Sequence, residues 1–114
     1  EWTMNKQFIT DEDISKAVNF LRDTAEESAK FKAERVYLDE FRKSLKALIM
    51  KEFLHLPVSA QEREAYASTR YIDHLKALKI AIERDEKQRF LRVSAEAKIE
   101  AWRSMSANYR SIKL

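Results

Sequence analysis

The sequence predicts an all-α protein: a long antiparallel helical hairpin with a short helix at the elbow, self-associating into a helical bundle or coiled-coil-like assembly. Three observations predict it. The 114 residues contain no glycine and a single proline, Pro57, so the residues that most strongly punctuate a chain are missing everywhere except near its middle. Charged residues make up 36% and hydrophobic residues 45%, a balance typical of long helices and too apolar for disorder. Apolar residues then recur at three-and-four spacing on both sides of Pro57.

Glu1-Trp2-Thr3 precede Met4, which fits an initiator. Residues 1–9 are therefore expected to be a cloning remnant followed by a flexible start, and residues 10–110 a single helical domain. Thr10 suits an N-cap, with Asp11, Glu12 and Asp13 in the first turn, where the helix dipole favours anions. The first long helix is predicted over about 11–54. Its apolar stripe runs through Ile14, Val18, Leu21, Ala25 and Ser28, then through Leu38, Phe41, Leu45 and Leu48. Glu12–Lys16, Glu26–Lys30 and Asp39–Lys43 are acid-before-base pairs at i, i+4 that support it. A helix of that length spans roughly 66 Å at 1.5 Å per residue, which implies a hairpin or bundle.

Pro57 disfavours helix at Leu56 and cannot extend a helical ladder itself, so His55-Leu56-Pro57-Val58 is the predicted elbow. Ser59-Ala60-Gln61-Glu62 has capping-box spacing ahead of a short helix over about 60–67. Ser68 and Thr69 offer a second cap. The last long helix is predicted over about 70–108, with a stripe through Tyr71, Leu75, Leu78, Ile82, Phe90, Val93 and Ala97. Ile99, Trp102, Met105 and Tyr109 continue it. Glu26–Arg35 and Glu83–Arg89 are polar middles at similar distances from the elbow, so folding at Pro57 brings them near each other. Leu38, Phe41, Leu45, Phe90 and Trp102 are the expected packing or oligomer anchors. The aromatic residues are too dispersed in angle for one seam, and a homo-oligomer, dimer or higher, covers them.

Several chemistries are excluded. The chain has no cysteine, hence no disulfide or thiolate metal site. Without glycine, a phosphate-binding loop of the usual kind has no place to form. His55 and His74 lack metal-ligand spacing, and Asp73-His74 are neighbours that do not face each other on a helix, so His74 reads as solvated. Glu96 and Glu100 share a face but read as surface charges. The longest apolar run, Ala47-Leu48-Ile49-Met50, is far short of the roughly 20 residues that cross a bilayer. The reading is a non-enzymatic protein without cofactor or metal, soluble, not in the membrane, and cytoplasmic in a bacterial host.

The net charge of +3 is unevenly placed. Residues 1–30 hold four basic and seven acidic side chains, residues 31–114 eighteen and twelve, and no acid follows Glu100. Arg35, Tyr37, Arg42, Lys43 and Lys46 on the first arm, with Arg84, Arg89 and Arg92 on the second and Arg103 beyond, form the candidate partner or nucleic-acid surface. Cations on phosphates and aromatic rings under bases would hold a single strand. The plainer reading is that interspersed charges solvate long helices, and that Phe41 and Phe90 are core.

The segments Lys32-Ala33-Glu34-Arg35-Val36-Tyr37-Leu38-Asp39-Glu40-Phe41-Arg42-Lys43-Ser44, Gln61-Glu62-Arg63-Glu64-Ala65-Tyr66-Ala67 and Ile99-Glu100-Ala101-Trp102-Arg103-Ser104 resemble, in order and spacing, small uncharacterised helical proteins of tailed phages and prophages. Leu45 departs from that pattern, which has a lysine there. Such proteins are often encoded near recombination or replication genes. The resemblance implies an accessory role in phage DNA recombination or replication, as an interaction module for a phage or host DNA-metabolism protein. Direct binding of single-stranded nucleic acid is the alternative, and a structural coiled-coil component of the virion or its assembly is a third reading.

Overall fold

The computed structural model describes residues 9–113; the cloning remnant and flexible start expected over 1–9 lie, but for Ile9, outside them. The described residues are all-α, with no strand among them. Helix α1 covers Asp11–Asp23, α2 Ala25–Met50, a single 3-10 turn Lys51–Phe53, α3 Val58–Ala67 and α4 Thr69–Lys113. No described residue has positive φ, in keeping with a chain that has no glycine to adopt it.

Helix α1 starts where the sequence places it. Thr10 Oγ1 accepts from the Asp13 N–H at 3.1 Å, and Asp13 Oδ2 accepts from the Thr10 N–H at 3.0 Å, a complete capping box. Thr24, by contrast, interrupts the first arm, where one helix over 11–54 was expected. Its hydroxyl donates back to the Phe20 carbonyl at 2.6 Å and its φ, ψ of −103°, 4° leave the helical well. A threonine bonded to the carbonyl four residues earlier bends or ends a helix in this way.

The elbow forms at Pro57, but not with the expected cap. Helix α3 begins at Val58, with Pro57 at the cap position and no side-chain cap bond. Ser59 is therefore already inside the helix, and the predicted Ser59–Glu62 capping box does not form. The Ala60 and Gln61 N–H groups bond the Pro57 carbonyl, and buried Gln61 donates from Nε2 to the Leu56 carbonyl at 2.8 Å. A glutamine side chain thus ties down the elbow. Ser68, the expected second cap, does precede α4, and its Oγ accepts from the Arg70 N–H at 3.3 Å.

The described residues pack as two compact units. One contains those up to Glu27 together with those from Gln88 onward; the other is Ser28–Lys87. In the first, α1 meets the later part of α4, with Ala17 and Ala95 buried. The buried line of α1 passes through Ala17, and Val18, expected on the stripe, is exposed. In the second, Ile49 is 1% exposed and packs with Ala65 and Tyr71, while Leu45, Met50 and Phe53 close around them. Leu78 and Ala81 extend the buried face of α4. The predicted stripe Tyr71–Leu75–Leu78–Ile82 therefore splits: Tyr71 and Leu78 are buried, Leu75 and Ile82 exposed. Leu48 is likewise exposed beside its buried neighbour Ile49.

Candidate interaction site

Most of the basic residues expected to line a partner surface already hold partners within the chain. In the second unit Arg35 Nη1 lies 2.9 Å from Asp85 Oδ2 and 3.4 Å from Glu86 Oε2. Asp85 is the more enclosed of the two carboxylates, with a side chain only 13% exposed. The two polar middles thus meet at Arg35, where the guanidinium bridges adjacent acids on α4. Sequence spacing, which reads pairs within one helix, did not foresee Arg35 reaching Asp85 across helices.

Arg42 binds Asp39 Oδ1 through Nε at 3.0 Å and Nη2 at 2.8 Å. Asp39 first, and the Tyr71 hydroxyl after it, hold its pKa above the ordinary guanidinium value. Lys43 consequently pairs with Glu40, at 3.4 Å, rather than with Asp39 as expected. Lys46 sits 4.7 Å from the centre of the Tyr66 ring, with Glu62 at 3.8 Å. The Tyr66 hydroxyl is the main cause of its raised pKa. Arg42, Lys43, Lys46 and Tyr66, with Ala47, Met50 and Tyr71, line an open groove of about 380 Å³. Tyr37 is exposed and stacks on half-buried Phe41, ring centres 5.8 Å apart. Leu38 and Leu45 are half-buried.

His74 is not solvated. It is half-buried, 5.7 Å from the Phe41 ring, and its Nε2 lies 2.6 Å from the Leu38 carbonyl. A carbonyl only accepts, so Nε2 carries the hydrogen. Periodicity gave no sign of this role, because histidine fits the buried edge of a helix only when a backbone acceptor lies opposite.

In the first unit Arg92 Nη1 donates to the Leu21 carbonyl and to Thr24 Oγ1, both at 3.0 Å. It satisfies the C-terminal end of α1, which otherwise leaves carbonyls unpaired. Arg103 pairs with Glu100 at 3.1 Å. Arg89 lies over the ring of Phe90 at 4.5 Å, and Phe90 is 59% exposed, outside the core. Trp102 is half-buried beside an open cavity of about 530 Å³ shared with Ile9, Met105 and Ile112. Arg84 is exposed and makes no ion pair among the described residues. Of the candidate cations, Arg35, Arg42, Lys43, Lys46, Arg92 and Arg103 thus each hold a partner within their own unit.

No group of three metal-ligating side chains occurs among the described residues, and no helix among them is long and apolar enough to cross a membrane. Set against known protein families, curated proteins and solved structures, the chain finds no match.

Proposed function

We propose that this chain is a non-catalytic interaction module: a helical hairpin that self-associates and offers helix faces to a protein partner. The observation that carries the reading is the apolar balance. Among the described residues sixteen large hydrophobics are exposed, whereas the seven buried hydrophobics include four alanines. Exposed apolar surface on this scale marks association surfaces. The long antiparallel pairing finds support in three contacts of the second unit. Arg35–Asp85, Leu38–His74 and Ile49–Tyr71 run in opposite order along α2 and α4.

The resemblance to phage and prophage proteins supports the biological setting, an accessory role in DNA recombination or replication in the host cytoplasm, with a phage or host DNA-metabolism protein as partner. Removing the gene from a phage that carries it is predicted to lower recombination or replication; unchanged frequencies would contradict that setting. Direct single-strand binding is the weaker reading, because Arg35, Arg42, Lys46 and Arg92 are held internally. Anisotropy titration of single-stranded DNA at two salt concentrations separates the two readings. Steep loss of a tight complex with salt is the signature of phosphate contact, and the interaction-module reading predicts no such complex.

A further inference from the structure

The first unit carries a groove whose two ends differ in chemistry. It lies between α1 and the later part of α4 and has a volume of about 340 Å³. Buried Ala17 and Ala95 form its floor. Arg92 reaches the Leu21 carbonyl, and Lys98 acts on the Asp13 carboxylate, so the two helices run antiparallel. Half-buried Phe20 and exposed Leu91 therefore share one end, and Lys16 and Lys98 line opposite walls toward the other. Lys98 is exposed and makes no ion pair among the described residues. Lys16 meets Glu12 at 3.3 Å, but the two side chains are 73% and 77% exposed, and a pair so exposed contributes little. The acid at that end, Asp13, is turned to its own helix start, where Oδ2 accepts from the Thr10 N–H.

We propose that this groove docks an acidic amphipathic helix of a protein partner, with a large apolar side chain between Phe20 and Leu91 and carboxylates against Lys98 and Lys16. The proposal rests on the interaction-module reading and gives the partner a chemistry. The apolar end alone suits any hydrophobic segment. Lysines on both walls of the other end select for negative charge and against a basic helix. Each wall is itself a helix, and its lining stretch spans seven residues, Asp13 to Phe20 and Leu91 to Lys98. That is about 10 Å, or two turns, the length over which a docked helix places anchors at i, i+3, i+4 and i+7. Alanines at the floor let a third helix approach closely.

Fluorescence anisotropy of a labelled, end-blocked helical peptide, leucines on one face and glutamates flanking them, tests this on the full chain. The peptide is expected to bind, and its counterpart with lysine for glutamate to bind at least ten-fold more weakly. Lys98→Glu, a change at an exposed position, is expected to weaken the glutamate peptide at least ten-fold. Lys76→Glu, exposed in the second unit, should leave it unchanged. No binding of the glutamate peptide, equal binding of both peptides, or equal weakening by both variants would overturn the proposal. Sedimentation of the unaltered chain separates the levels of failure. A self-associating chain that ignores the peptide overturns the groove but leaves the interaction-module reading standing, whereas a monomer that ignores it overturns both. A monomer that binds it keeps the groove and overturns self-association alone. An oligomer that falls to monomer in Leu91→Asp makes a second copy the occupant and overturns the acidic-helix assignment.

Discussion

Arg35 and Arg92 show how a cation that looks available in sequence is taken up by structure. Each sits where the fold leaves an acceptor short of a donor: Asp85 enclosed on α4, and the carbonyl end of α1 at Leu21 and Thr24. Removing Arg35 strands a largely enclosed carboxylate, so Arg35→Ala should lower stability by about 1–3 kcal/mol in urea unfolding. Arg35→Met combined with Asp85→Leu should recover most of that loss, since replacing both members of an enclosed pair is far less costly than removing one. A double variant as unstable as the single one would contradict this role for Arg35. For Arg92→Ala the expected loss is about 1–2 kcal/mol, with faster amide exchange concentrated at the end of α1. Exchange that rises evenly along the chain would argue against a capping role. Among the described residues the single fully buried large side chain is Ile49, and Ile49→Ala should cost about 2–4 kcal/mol; a loss under about 1 kcal/mol would mean that Ile49 does not anchor the second unit.

At the scale of elements, local chemistry decided what was legible. Thr10 with Asp13, Pro57 and Ser68 act within a few residues of themselves, and their positions in the structure match the sequence. Thr24 was not legible. A threonine inside a helical pattern is ordinarily tolerated, and its back-bond to Phe20 coincides with Arg92 arriving from α4, a residue 68 positions away. The stripe along α4 was legible as apolar but not as two lines, because periodicity locates a face and not the partner that covers it. The same limit hid His74, Gln61 and the Arg35–Asp85 pair, all of which depend on groups from another element. The α1 capping box yields a pH dependence. Backbone and side-chain hydrogen bonds from Thr10 hold the Asp13 carboxyl below its ordinary value of 3.8. A carboxyl depressed in the folded state contributes stability in full above that ordinary value and loses it as pH falls through the depressed one. The first turn of α1 should therefore fray only below about pH 4. Following Asp13 by NMR should show its titration return toward the ordinary carboxylate range in Thr10→Ala. An Asp13 that already titrates there with Thr10 present would contradict the capping box.

For the whole molecule, the governing fact is that good helix-forming sequence supplies more apolar surface than the described chain buries. The buried set leans on small residues such as Ala17, Ala65, Ala81 and Ala95, whose close packing leaves Ile72, Leu75, Ile82, Phe90 and Val93 outside. The charge that in sequence marks a candidate partner or nucleic-acid surface is largely cancelled locally, by Asp85 and Glu86 at Arg35, Asp39 at Arg42, Glu40 at Lys43 and Glu62 at Lys46. What remains for recognition is exposed helix face, which the proposed self-association would cover with a second copy. Sedimentation equilibrium at micromolar concentration tests that claim most directly. The account predicts a mass of two or more chains, and a single species at the 13.5 kDa of one chain would contradict it.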